Sequence, residues 1–372
     1  MIMRTLAKDA LIYGGGDFVG KLIAFFTLPI IASVLSPTEF GILDLIMTLV
    51  GLGSVLVACG LNNATQRYYW ENNITAPIRQ QIVSTGFALQ LLFGCFLITF
   101  ACICLPFASS YFTSEITHHF TWIALVSAIF LTPITQWVLY TQDVTRLHFK
   151  PWKFLTLSLI IRVFAAVLSL VAVVILHTGV DGYVFAQLMA ALIALPLGLY
   201  LIKQDLTTGI SREWAVRLLK FGYPFIFVTI AHWIFGSMDR WMLASMSSVE
   251  ETGIYSVSFR FASLLVFIIT AFGMAWSPQA VKIKSDHPNE YRSIFGDVML
   301  VLLYVMLFFG GGLALFSGEI IGTIMPKDYA SAALPLAILS FGVILQSTIQ
   351  VTAVGISLSG KTSIFAHLAW IT

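Results

Sequence analysis

The sequence predicts an all-α polytopic membrane protein, on three observations. Hydrophobic residues make up 58% of the 372 and charged ones only 10%, with a mean hydropathy of +0.91. A soluble domain cannot cover its core with so little polar surface. Long apolar runs recur along the whole chain, each near the roughly 20 residues that cross a bilayer as a helix. Lysine and arginine cluster in alternate connecting segments, as the positive-inside rule requires. A membrane β-barrel would instead show short alternating segments.

The opening residues set the pattern. Two apolar runs, at about 10–35 and 40–60, are joined by Ser36-Pro37-Thr38-Glu39 and read as a transmembrane hairpin. The first run is too long for a signal peptide. It carries Asp17 and Lys21 one turn apart, and a charge in hydrocarbon costs about 3 kcal/mol or more. The pair must therefore face protein or a water-filled cavity. Further spans follow at about 82–105, 118–140, 154–176, 182–202, 219–245, 253–276, 294–316 and 332–356, and another begins near Thr362. That gives ten full spans and the start of an eleventh.

With the N-terminus in the cytoplasm, fifteen of the twenty Lys and Arg fall on the inside and Lys327 falls outside. The other four, Lys21, Arg162, Arg240 and Arg260, lie within spans. The four cysteines all sit in apolar runs and read as small buried residues, with neither a disulfide framework nor a metal set. No phosphate-binding glycine loop, metal-ligand spacing or acid pair in a soluble domain is present, so no enzyme is expected.

A polar stretch at 204–220 interrupts the middle of the chain and reads as a cytoplasmic linker, with Trp214 as an interfacial anchor. The hairpin turn at 36–43 returns at 248–255: Ser36/Ser248, Glu39/Glu251, Gly41/Gly253 and Ile42/Ile254 match at one offset. Both hairpins turn on the same side, so the repeat is parallel, an arrangement known in transporters. The expected domains are an N-terminal six-helix lobe at 1–203, a linker at 204–218 and a C-terminal lobe at 219–372. Six helices in the first half imply six in the second, so the second lobe is expected to be incomplete in this chain.

Three stretches carry a family resemblance. They are Lys21-Leu-Ile-Ala-Phe-Phe26, the turn Leu35-Ser-Pro-Thr-Glu-Phe-Gly41, and Gly60-Leu-Asn-Asn-Ala-Thr-Gln-Arg-Tyr-Tyr69. Together with the helix layout and Glu251-Thr-Gly-Ile-Tyr255, they resemble the Wzx-type O-antigen flippases. These form the polysaccharide-transporter branch of the MOP superfamily, which also holds the MATE exporters. The resemblance implies a MOP/MATE-like fold of two pseudo-symmetric bundles. It also implies flipping of an undecaprenyl-diphosphate-linked oligosaccharide across the bacterial inner membrane by ion-coupled alternating access. The implied partners are that lipid-linked oligosaccharide, membrane lipids, and the polysaccharide polymerase and chain-length machinery, with no nucleic acid. No cofactor is implied beyond a coupling H+ or Na+.

An anionic diphosphate calls for cations in the cavity wall, since guanidinium suits phosphate. Lys21, Arg162, Arg240 and Arg260 are the candidates for a cationic lumen. Set against Asp17 and Asp239 as the clearly intramembrane acids, they favour an anionic cargo. Each has a plainer reading: Lys21 pairs with Asp17, Arg162 and Arg260 snorkel to headgroups, and Arg240 forms an interfacial ion pair. Asp17, His232 and Asp239 are the ion-coupling candidates, since histidine titrates near neutral pH; a hydrogen-bonded interior histidine is the alternative. Gly16 and Gly20 form a small-residue packing face, and Gln346 and Gln350 share a face that binds either sugar hydroxyls or a neighbouring helix. A MATE-like small-molecule exporter and an integral-membrane glycan polymerase or ligase are the competing functions. The first expects acids to dominate the cavity, and the second expects a large outside loop.

Overall fold

The computed structural model describes residues 15, 19–20, 22–71, 74–111 and 121–358. Asp17 and Lys21, Gly16, and the segment beginning at Thr362 lie outside them. The described chain is helical throughout. Its helices are α1 (Leu22–Ala32), α2 (Pro37–Ala58), α3 (Leu61–Tyr69), α4 (Ala76–Tyr111) and α5 (Trp122–Leu147). Then come α6 (Pro151–Leu170), α7 (Gly179–Leu201), α8 (Arg212–Met246), α9 (Val249–Ala262) and α10 (Leu265–Asp286). The last are α11 (Tyr291–Leu315), α12 (Ser317–Ile324), α13 (Ala333–Ser347) and α14 (Ile349–Leu358). Eight helices are long and apolar enough to cross a membrane, and α9 with α10, bent by 41°, makes a ninth. The protein is a multi-pass membrane protein, and these spans coincide with those expected from residue 40 onward.

Local chemistry explains where helices begin and turn. Ser36 caps α2 in a full capping box: its hydroxyl accepts from the Glu39 amide, and the Glu39 carboxylate accepts from the Ser36 amide. Ser248, its counterpart in the repeat, stands in the same place immediately before α9. Asp181, in the first turn of α7, accepts from the Thr121 hydroxyl and the Ala124 amide and so caps α5 from a neighbouring helix. Cys59 and Gly60 have φ of 47° and 67° and swing the chain from α2 into α3. A Cβ on Gly60 would lie 2.1 Å from the Gly222 carbonyl of α8, so the turn requires glycine twice over.

The chain divides into two compact units, Met1–Glu250 and Glu251–Thr372. In the first unit α5 packs along α7, α2 and α4, and α6 packs on α7. The seventh expected span, α8, is packed in this unit against α2, α3 and α4. The linker ahead of α8 is docked as well. The amides of Thr207 and Ser211 donate to the Ser84 and Thr85 hydroxyls of α4, and Gln80 donates to the Gln204 carbonyl. Trp214 is not the headgroup anchor expected. It is 7% exposed in a cluster with Leu61, Ala64, Ile82 and Leu218, because α3 and α4 offer apolar side chains that exclude water better than an interface does. Cys95 and Cys102 also depart from expectation. They are exposed on α4, among Phe96, Phe100 and Ile103 on a face turned outward.

In the second unit α11 packs on α13, and α10 closes against α11 and α14. Trp276, Phe295, Leu302, Met306 and Ile344 form its core. Gln350 lies against Gly273 of α10, where a Cβ would come within 2.6 Å of its amide oxygen; helix packing is thus the observed role of Gln350.

Candidate functional site

Arg162 organises the first unit. It sits on α6, eleven residues after Pro151, and lines two neighbouring cavities of about 260 and 200 Å³. Ala165 and Gln187 line both as well, so one α6–α7 seam forms their common wall. The larger cavity adds Thr27, Ser169 and Tyr183, and the smaller adds Thr135, Ser158 and Gln142. Among the described residues of these linings Arg162 is the only charged side chain; the other polar groups are hydroxyls and amides. Gln187 donates to the Ser169 hydroxyl at 3.1 Å, which fixes its carboxamide across the seam. The Arg162 guanidinium passes over Gly20, where a Cβ would overlap Nη1. The absent side chain at Gly20 is what lets the cation reach the cavity.

Arg240 stands elsewhere. It is 8% exposed, and its Nε lies 3.3 Å from Oδ2 of Asp44, itself 7% exposed, on α2. Just below, Trp241 donates to the Thr48 hydroxyl and Trp233 to the Thr48 carbonyl. These links tie α8 to α2, and Arg240 joins neither Arg162 cavity. Asp239 accepts from the Arg240 amide at 2.9 Å, and His232 is exposed on α8. Arg260 is half-buried on α9.

Two acids change the charge balance inferred from sequence. Asp44 lies within span α2, and Asp143 lies within α5, whose helix runs further than the expected span. Spans therefore hold acids besides Asp17 and Asp239, although Asp143 brings Arg146 with it on the same helix, and the cation excess narrows to that extent. Sequence reading missed Asp44, Asp143, Gln187 and Tyr183. The signal for Asp44 was present, since it interrupts an apolar run and an intramembrane carboxylate is costly; Asp143 follows the apolar run among polar residues and carried none. Gln187 and Tyr183 carried no signal, because amides and phenols are ordinary in membrane helices.

A third polar group gathers where α3, α5 and the linker meet. Asp205 accepts from the Tyr69 hydroxyl and pairs with His148 Nε2, each at 2.7 Å. Burial, and then the Asp205 carboxylate, push the Tyr69 phenol well above the usual tyrosine range. It remains a donor at any neutral pH.

The model of one family, described as polysaccharide biosynthesis protein, matches residues 6–284. The chain belongs to that family. Within the polysaccharide biosynthesis proteins it is 22% identical over 284 residues to Lsg locus putative protein 1 of Haemophilus influenzae. That match covers 73% of this chain and 65% of the relative, so the chain spans just under two thirds of the relative's length. Among solved structures it resembles the inward-facing form of a multidrug resistance MATE family transporter of the MOP superfamily. The TM-score is 0.68 at 15% identity, over 90% of this chain and 82% of that one. It also resembles a MOP superfamily transporter from Pyrococcus furiosus, with a TM-score of 0.62 at 14% identity, over 94% and 83%. Identities this low show a shared fold, and the fold of this polysaccharide biosynthesis protein is accordingly that of the MOP transporters.

Proposed function

We propose that the chain carries a lipid-linked oligosaccharide, a precursor of O-antigen or another surface polysaccharide, across the bacterial inner membrane by ion-coupled alternating access. One observation carries this reading: among the described residues lining two adjoining cavities, Arg162 is the charged one, and the other polar groups, set among apolar side chains, are hydroxyls and amides. A guanidinium supplies the planar donor fork that phosphate oxygens accept from. Amides and hydroxyls suit sugar hydroxyls and discriminate by leaving unmatched partners unpaired. Each cavity is smaller than the ~300–1,000 Å³ of drug-sized pockets, so the diphosphate and the first sugar occupy them while the remaining glycan lies outside.

Family membership supports a polysaccharide pathway, and the MOP fold supports transport over catalysis. The Pyrococcus furiosus transporter is described as having a binding pocket of reverse polarity and a different function; a pocket centred on arginine fits a cargo opposite in charge to cationic drugs. Asp17, His232 and Asp239 remain candidates for ion coupling, with Lys21, Arg240 and Arg260 as further cations. The cytoplasmic N-terminus and the partnership with polymerase and chain-length machinery belong to the same proposal.

Genetic complementation tests it. The gene is expressed in a bacterial strain lacking its own polysaccharide flippase, and surface glycan is compared for wild type, Arg162→Ala and Arg260→Ala at equal protein level. Restoration by wild type and its loss in Arg162→Ala is the expected result. Restoration that survives Arg162→Ala removes the site assignment. Drug resistance without glycan restoration would favour the exporter.

A further inference from the structure

The two faces of α5 do different things at the same turns. Thr135, Leu139 and Gln142 line the smaller Arg162 cavity. Gln136, Tyr140 and Asp143, four and then three residues apart, form a stripe on another face. That stripe borders a separate cavity of about 50 Å³, lined by Asn62, Thr65, Gln66, Tyr140, Asp143 and Arg146 among others. Its lining shares no residue with the Arg162 cavities.

The hydrogen bonds of this cluster have a fixed direction. Asn62 Oδ1 accepts from Gln90 Nε2 at 2.7 Å and from Gln136 Nε2 at 3.1 Å. With its oxygen so occupied, Asn62 must present its amide to Asp143, and it donates to Oδ2 at 2.5 Å. Tyr140 donates to the Val83 carbonyl and meets the Thr65 hydroxyl at 3.0 Å. Gln90 is fully buried, yet no donor reaches its Oε1, so the cluster has acceptor capacity to spare. Among the described residues, Asp143 and Arg146 are the two charged ones lining the cavity. Arg146 Nη1 stands 3.5 Å from the other carboxylate oxygen, Oδ1, in an ion pair, and its guanidinium lies over the Phe154 ring of α6. From α3 the facing groups are Asn62, Thr65 and Gln66, and from α4 the amide of Gln90 acts through Asn62. Asp205, with Tyr69 and His148, and Arg79, whose guanidinium lies over the Tyr69 ring, are further charged groups at this end of the unit.

We propose that Asp143 is a proton-binding site that couples ion movement to the Arg162 cavity through α5. The inference rests on the transport reading above. The proton adds to Oδ1, because Oδ2 is held as acceptor by Asn62. The product is a neutral carboxyl, and Arg146 is released from its ion pair. Gln142 is the next residue on the same helix, so a shift of this turn is felt directly at the cavity wall.

The test begins with protonation, measured without any cargo. Infrared difference spectra are recorded across pH on the purified full chain in lipid nanodiscs, for wild type, Asp143→Asn, Asp143→Glu and Asn62→Ala. A carboxyl signal that titrates in wild type, is missing in Asp143→Asn and returns in Asp143→Glu is expected. Asn62→Ala should move its midpoint by about one pH unit or more, since it removes a hydrogen bond to the charged form. Asp143→Glu and Asn62→Ala keep the test decisive if Asp143→Asn does not fold. An unchanged titration in Asp143→Asn, or a signal that follows Na+ at fixed pH, overturns the proposal. Proteoliposomes then separate the two readings. Loss of pH-gradient stimulation in Asp143→Asn with basal flipping retained supports the coupling role, and retained stimulation overturns it. Absence of flipping by wild type, with the Asp143 titration intact, counts against the transport reading and leaves the proton site standing.

Discussion

Arg162 shows how much one missing side chain can decide. The guanidinium crosses the chain at Gly20, just ahead of α1, where a methyl would overlap it. Gly20→Ala should therefore displace the cation and abolish glycan export as fully as Arg162→Ala, with protein level unchanged; immunoblots and surface-glycan staining together check this. Arg240 should behave differently. Its pair with Asp44 is buried on both sides, and removing one partner of such a pair costs about 3–5 kcal/mol. Arg240→Ala is expected to lose folded protein, and Arg240→Gln with Asp44→Asn to recover much of it, as measured by thermal melting in detergent. Sequence placed both arginines within spans, and that was right. It set an ion pair for Arg240 against a headgroup contact for Arg162, but did not name the partner, which lies on α2, 196 positions away in sequence. Asp44 was in plain view within an apolar run; its significance emerged only when α8 was seen packed beside it.

Among the elements, the helices were the most legible part. Every span from residue 40 to 356 was visible as an apolar run, because a membrane leaves the chain few ways to satisfy its backbone. Less visible were short α3 and the docked linker. Both depend on side chains meeting across elements, as when Trp214 buries itself against α3 and α4. The Gly60 turn belongs to the same class. Its φ is 67° and the Gly222 carbonyl of α8 presses on its open face, so Gly60→Ala combines a left-handed strain of about 1–2 kcal/mol with a backbone collision. Loss of folded protein in Gly60→Ala, against little change in Gly15→Ala or Gly236→Ala, where a Cβ meets nothing, is the expected pattern. The clasp of Tyr69, Asp205 and His148 makes a further prediction. Tyr69 has a raised pKa in the folded state, so its contribution is complete below the unfolded value of about 10 and fades only as pH rises through the folded one. Tyr69→Phe should cost about 1 kcal/mol equally at pH 6 and pH 8, as read from melting curves.

For the whole molecule, the fold and the family rest on different grounds and agree. The repeated turns at Ser36 and Ser248, each placed immediately before a helix, and the MOP structural neighbours give the architecture. The match over residues 6–284 gives the family. Neither names the cargo, and the Arg162 cavities supply the chemical argument for it: a cation with hydroxyls and amides beside it among the described lining residues. The most direct measurement follows a fluorescent undecaprenyl-diphosphate-linked oligosaccharide in proteoliposomes, scored by the fraction that becomes accessible on the far leaflet. Wild type should move it, Arg162→Ala should fall to the rate of protein-free liposomes, and Arg162→Lys should lie between them. Transport by Arg162→Ala at the wild-type rate would contradict the account, because the charge at the centre of both cavities would then have no part in moving the cargo.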